Sequence, residues 1–262
     1  MNTFESLTNY YATHDENSRL ESRHGQVEFL TTVHYVEKYL FSSARIIEIG
    51  AATGRYSHYF ARKGYNVDAV ELVEHNIEIF KENTSLEEKV TVRQGNALDL
   101  SYFGDNTYDI TLLLGPMYHL YTVEEQLQAI SEALRVTKSG GKIFVAYCNN
   151  DMTMYQYCFK REMVKQEMER GMIDPQNFKL FSTPAEVFQM HRKEEVDELM
   201  KHFNVKRLHY VGTDMLTRLI TETVDNMDDE VFGIYMKYHL SVCEREDMVG
   251  VTNHMLDVFT KL

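Results

Sequence analysis

Ile46-Ile47-Glu48-Ile49-Gly50-Ala51-Ala52-Thr53-Gly54-Arg55 decides how this chain folds. A β-branched apolar run carries one acidic residue near its end, and a turn of small residues then leads into an amphipathic stretch. That order reads as a buried strand, a tight loop and a helix start whose backbone N–H groups face a ligand. Gly or Ala at 50, 51, 52 and 54 lets the ligand lie against the main chain itself. Glu48 stands two residues before the first glycine. A carboxylate there repels phosphate and attracts a cation.

The pattern continues on the C-terminal side as strand, helix, strand, helix from about residue 44 to 148. A helix over Tyr56–Lys63 closes at Gly64. Strands follow at Val67–Leu72, Val90–Gln94 and Tyr108–Leu114, with a helix carrying Ile77 and Phe80 after the first of them. Thr122-Val123-Glu124-Glu125 is a capping box. It opens a helix whose Val123, Leu127, Ile130 and Leu134 share one face. Gly140-Gly141 is expected to turn the chain into a strand over Lys142–Tyr147. A polar helical stretch is expected over residues 150–173, then a helix with Val196, Leu199, Met200 and Phe203. Strands near Val205–Val211 and Met255–Phe259 are separated by further helices. Such alternation implies a parallel sheet with right-handed crossovers, which binds ligands beyond the C-terminal ends of its strands. Glu48–Gly54, Glu71, Asn96 and Gly115-Pro116 all fall at those ends.

A dinucleotide loop would need glycines at i, i+2 and i+5. Counted from Gly50, those positions hold Gly50, Ala52 and Arg55, the last too large for close helix–strand packing. The lysine of a phosphate-binding P-loop is missing as well. Glu48, Gly50, Ala52 and Gly54 instead resemble the first motif of class I S-adenosylmethionine-dependent methyltransferases, acidic-x-Gly-x-Gly-x-Gly, with Ala52 in place of one glycine. The resemblance covers roughly residues 40–150. The flanks around Ser18–Gly25 and from Lys237 to His254 look like those of bacterial small-molecule members. It implies a Rossmann-like seven-stranded, mostly parallel sheet with helices on both faces, an antiparallel last strand and helical lid insertions. One domain is expected: residues 1–43 as an N-terminal helical lid, 44–148 as the cofactor-binding core, 149–185 as a helical insertion, and 186–262 as the rest of the core with a helical cap.

Each part of S-adenosylmethionine then has an expected partner. Glu48, Gly50, Ala51, Ala52 and Gly54 answer the sulfonium and the amino-acid end. Glu71, with Leu72 beside it, is placed to accept from the ribose hydroxyls. Gly95-Asn96-Ala97 stands where the family usually shows Gly-Asp-Ala, so Asn96 and the Ala97 N–H are assigned to adenine, with Asp99 as the competing choice. Leu114 and Gly115 are expected to pass the methionine end, and Tyr118 or His119 to face the methyl acceptor. Candidate general bases are His119, His24 and His254. Tyr10, Tyr11, Arg19 and Arg23 of the N-terminal segment are expected to close over the site, with residues 1–30 and 150–180 ordering when cofactor and acceptor bind. The product would be S-adenosylhomocysteine.

Composition narrows the partners. The 262 residues include 27 basic and 40 acidic ones, a net charge of −13 with no basic cluster, which disfavours a nucleic-acid substrate. Cys148, Cys158 and Cys243 are odd in number and lack C-x-x-C spacing, so neither a disulfide framework nor a metal site is expected. Met1–Glu5 has no basic start or apolar core of a secretory signal, and no apolar run reaches membrane-spanning length. The expectation is a cytoplasmic enzyme that methylates an O, N, S or C nucleophile of a small molecule, with no membrane partner. Alternatives are an NAD-type oxidoreductase, a protein or RNA methyltransferase, and a non-catalytic cofactor-binding homologue.

Overall fold

The structure, a computed structural model, describes residues 3–262. Met1 and Asn2, where the leaderless start was read, lie outside the described residues. Helix α1 (Thr3–Tyr11) and helix α2 (Arg23–Glu37) precede the sheet. Ser22 caps α2, its hydroxyl accepting from the Gly25 N–H at 3.2 Å. The alternating region then gives β1 (Arg45–Ile49), α3 (Arg55–Arg62), β2 (Asn66–Glu71), α4 (Glu74–Asn83), β3 (Val90–Gln94) and β4 (Tyr108–Leu113). After them come α5 (Val123–Val136) and β5 (Thr137–Asn149).

The insertion after β5 is helical but broken. It holds α6 (Asn150–Thr153), a π-helical turn at Met154–Phe159 and α7 (Val164–Glu169), and ends in the two-residue strand β6 (Met190–His191). Helix α8 (Lys193–Met200), β7 (Val205–Gly212), α9 (Thr221–Asp225), α10 (Asp229–Val242) and β8 (His254–Lys261) complete the chain.

The strands order as β3-β2-β1-β4-β5-β8-β7, with β6 pairing β5 off that path. Only β8 runs antiparallel to its neighbours. The seven expected strands are therefore present, and β6 is a short eighth. β1 is buried on both faces, which is why its sequence is nearly continuous apolar. Ile46 packs with Phe60, Leu112 and Phe144 on one face, and Ile47 and Ile49 pack with Ile130 and Val145 on the other. Glu48 shares the face of Ile46, the face covered by α3. No described helix is long and apolar enough to cross a membrane, and all three cysteines are buried thiols.

Two local expectations fail. Val123 is 54% exposed, because α5 buries Gln126, Ala129, Ile130, Ala133 and Val136 instead. The capping box itself forms: the Glu125 N–H donates to Thr122 Oγ1 at 3.2 Å and the Thr122 N–H to Glu125 Oε2 at 3.3 Å. The Gly140-Gly141 pair does not precede its strand but lies inside β5. Gly140 takes φ +77°, and the register against β4 slips there, so the glycines make a bulge rather than a turn.

Candidate active site

The strand order reverses between β1 and β4, and the loops leaving these two strands meet at the C-terminal edge of the sheet. Gly50 takes φ +76°, and a Cβ added to it would stand 2.5 Å from Pro116 Cδ. Only glycine permits that approach. Ala52 is also left-handed, at φ +47°. Its N–H donates to Glu71 Oε2 at 2.8 Å, which ties the unusual conformation to the end of β2.

Two cavities flank this turn. The first is lined by Glu71, Leu72, Asn76, Asn96, Ala97 and Leu98, with Thr3, Leu7 and Tyr11 of α1 across from them. The second is lined by Glu48, Ala51, Leu114, Tyr56, Tyr118 and Phe188, together with Arg19, Arg218 and His254. Gly50, Ala52, Gly115 and Tyr11 border both, so the two form one bipartite cleft. Thirteen of the sequence-assigned residues therefore come together: Glu48, Gly50, Ala51, Ala52, Glu71, Leu72, Asn96, Ala97, Leu114, Gly115, Tyr118, His119 and Tyr11. Arg19 and His254 join them from the flanks.

Three assigned residues stand elsewhere. Gly54 lines neither cavity and starts α3 at φ +88°, packed on Phe80. Arg23 pairs with Asp229 at 2.7 Å and lies over the Phe232 ring. His24 pairs with Asp225 at 2.8 Å. Both therefore fasten α2 to α9 and α10 instead of facing the cleft. The competing adenine residue Asp99 also turns away, its carboxylate accepting from the Ser101 N–H at 2.9 Å.

Two carboxylates stand at the cleft in different states. Glu48 is 2% exposed, and burial raises its pKa to about 8 although the Ser57 hydroxyl donates to it. Burial thus favours its protonated form. Glu71 is also raised by burial, and the Val73 and Ala52 N–H groups and Asn76 Nδ2 counter that rise. The amide oxygen of Asn96 accepts from the Leu98 N–H at 3.0 Å and shapes the loop.

Both proposed imidazoles are engaged. His119 Nδ1 donates to the Val187 carbonyl at 2.8 Å, which fixes the tautomer and leaves Nε2 to accept from Tyr11. Burial lowers its pKa to about 4. His254 Nδ1 lies 3.2 Å from Glu28 Oε2 and 3.4 Å from Asp214 Oδ2. Burial works against its charge, but Glu28 and Asp214 outweigh burial and hold it well above the ordinary range. Glu28, Asp214 and His254 are the one described group whose ligand atoms cluster closely enough for a metal. Arg19 and Arg218 already pair with its carboxylates.

Glu28, Asp214, Arg218 and Phe188 escaped the sequence reading. They arrive from α2, the turn before α9 and the strap before β6, and no local pattern links such isolated residues.

Comparison with known proteins adds the family. Residues 47–145 match the family described as "Methyltransferase domain". A demethylmenaquinone methyltransferase of Thermobifida fusca is 33% identical over 117 residues, covering 44% of this chain and 47% of that protein. The chain thus matches less than half the length of such curated relatives. A Pyrococcus horikoshii protein of solved structure is 18% identical, with a TM-score of 0.61 over 97% of this chain and 99% of that one. Phosphoethanolamine N-methyltransferase 1 of Haemonchus contortus, solved with phosphoethanolamine and S-adenosylhomocysteine, is 13% identical, with a TM-score of 0.60 over 99% of this chain and 49% of that one. The motif, the strand order and the cleft at the switch point agree with that match: residues 47–145 carry a domain similar to S-adenosylmethionine-dependent methyltransferases.

Proposed function

We propose that this protein transfers the methyl group of S-adenosylmethionine to a small-molecule acceptor seated in the second cavity. The observation that carries this reading is the bipartite cleft bordered on both sides by Gly50, Ala52 and Gly115. In its first half, Glu71 supplies the acceptor oxygens a ribose diol needs, and Asn96, Ala97 and Leu98 form an amide-edged apolar slot suited to adenine. Leu114 and Gly115 lead to the second half, where Tyr118 and His254 stand with ring centroids 5.7 Å apart. When bound, S-adenosylmethionine supplies an electrophilic methyl group on a sulfonium.

The residues contribute alignment and dryness more than proton transfer. His119, neutral and hydrogen-bonded through both nitrogens, holds α1 and the strap at Val187 against the turn after β4. His254 is charged at neutral pH and is no base there. Helix α1 and the insertion act as the lid, with Tyr11 and Phe188 closing the cleft. The small-molecule acceptor agrees with the name of the Thermobifida fusca relative and with a net charge of −13, which suits no polyanion.

Calorimetric titration tests the cofactor: S-adenosylmethionine and S-adenosylhomocysteine should bind, and NAD should not. Tight NAD binding alone would overturn the reading. Methyl-label transfer to a metabolite extract, and not to RNA or protein, tests the acceptor class.

A further inference from the structure

The second cavity is cationic in a strongly acidic protein. Arg19, Arg55, Arg218 and His254 line it. The carboxylates facing them are Glu16, which accepts from Arg19 Nε at 2.6 Å, and Glu28 and Asp214 behind the wall. Glu48, the remaining acid on the lining, is mostly protonated at neutral pH. Four cations thus meet three carboxylates.

The cationic groups also keep donors in reserve. Arg19 Nη1 reaches both oxygens of Glu28, at 3.1 and 3.0 Å, but Arg19 Nη2 has no hydrogen-bond partner among the described residues. Arg218 Nε lies 3.4 Å from Asp214 Oδ2, and its Nη2 is 3.8 Å from Glu28, beyond hydrogen-bond reach. None of these free nitrogens is among the sealed, unpartnered polar atoms, so they reach open space. Asp214 is meanwhile satisfied from its own side: Thr252 Oγ1 and the Asn253 N–H donate to its Oδ1 at 2.6 and 2.7 Å. Its charge is therefore shared with the start of β8 and neutralises Arg218 only in part. Two guanidinium groups with spare N–H donors, beside an imidazolium and bordered by aromatic rings, match a planar or tetrahedral oxyanion on an apolar body.

We infer that the methyl acceptor is a small organic oxyanion, a carboxylate or a phosphate, anchored by the spare N–H donors of Arg19 and Arg218 with the His254 imidazolium adding charge beside them, and with its apolar part against Tyr56, Tyr118 and Phe188. This rests on the methyl-transfer reading for the word acceptor, but the anion site itself does not depend on it. The anchor sets specificity: it selects anionic acceptors over neutral or cationic ones of equal size.

The test uses the whole protein, with and without S-adenosylhomocysteine, titrated with benzoate, phenyl phosphate, inorganic phosphate and benzylamine by calorimetry and by NMR. Benzoate or phenyl phosphate should bind at least tenfold more tightly than benzylamine, and the better of the two identifies the oxyanion. Arg218→Gln should weaken that probe about tenfold or more and leave S-adenosylhomocysteine affinity within about twofold. Arg218→Lys keeps the charge beside Asp214 and guards against misfolding; it should fall between the two. Equal binding of benzylamine, or an unchanged probe affinity in both variants, overturns the inference. So does a parallel loss of S-adenosylhomocysteine binding in Arg218→Gln, since the cations would then serve the carboxylate of the cofactor. Failure of S-adenosylhomocysteine to bind the unaltered protein, with the probes still bound, would strike the methyl-transfer reading alone.

Discussion

The hydroxyl of Tyr11 on α1 donates to Nε2 of His119, 3.2 Å away in the turn after β4. The same imidazole donates from Nδ1 to Val187, a β-branched residue held at φ +69°, where such residues are strained. Val187 is fixed by a second bond, from the Tyr121 hydroxyl at 2.7 Å. One neutral ring thereby joins the N-terminal helix, the sheet edge and the strap before β6.

Tyr11→Phe removes the link between α1 and this ring. A hydrogen bond of this kind is worth about 1 kcal/mol, so the variant should bind S-adenosylhomocysteine about fivefold more weakly. Amide exchange over residues 3–11 should accelerate while the sheet keeps its protection. Unchanged exchange in α1 would show that the helix is held by packing alone.

Acid should loosen the fold through buried histidines. Burial lowers His119 to about 4, His191 to about 3 and His239 to about 4, each below the ordinary value. In the unfolded chain these rings take protons near pH 6.5, whereas the folded protein resists until about pH 4. Their contribution is complete above pH 6.5 and is lost as pH falls towards 4. Urea midpoints of His239→Gln and the unaltered protein should therefore converge, or cross in favour of the variant, between pH 6.5 and 4.5. A constant difference across that range would contradict the assignment.

Glu48 carries the opposite sign. Its raised folded pKa of about 8 makes the protonated carboxyl the folded form, so its stabilising contribution is present below pH 4.5 and is lost as pH rises through 8. Glu48→Gln should gain on the unaltered protein by about 2–4 kcal/mol between pH 5 and 9. Binding of a sulfonium beside Glu48 should release a proton, so S-adenosylmethionine affinity should climb from pH 6 to 8 and level off above it. Calorimetry in buffers of different ionisation enthalpy reads that proton directly, and Glu48→Gln should show none.

Gly54 and Gly64 separate steric cost from backbone cost. Both are left-handed, at φ +88° and +92°. A Cβ on Gly54 would stand 2.5 Å from the Phe80 ring and 2.7 Å from His58 Nε2, whereas one on Gly64 meets nothing within 4 Å. Gly64→Ala should cost about 1 kcal/mol, and Gly54→Ala about 3 kcal/mol because overpacking adds to the strain. Equal urea midpoints would show that α3 moves freely away from Phe80.

Much of the frame was legible because strands buried on both faces write continuous apolar runs, as in Ile46–Ile49 and Tyr108–Leu113, and because turn residues mark their ends. The same edge gathers Glu48, Glu71, Asn96 and Gly115 at predictable strand ends. What was not legible depends on tertiary contact. Val123 fits the helical period, yet the buried stripe of α5 is rotated towards Ala129 and Ala133. Arg23 and His24 look like lid residues in sequence, but α2 turns them to Asp229 and Asp225. The state of Glu48 follows from burial beneath α3, which no residue spacing records. Arg218, Asp214 and Glu28 meet only when three distant segments close around His254.

The strand β8 threads between β5 and β7, and its first residue is His254. During synthesis, β8 therefore emerges after both of the strands it joins. Until residues 254–261 emerge, β5 and β7 present open edges to other chains, and the ionic wall around Glu28 lacks its imidazole. A chain interrupted a few residues before His254 would leave β7 without its strand partner and one edge of β5 open, and so an aggregation-prone sheet.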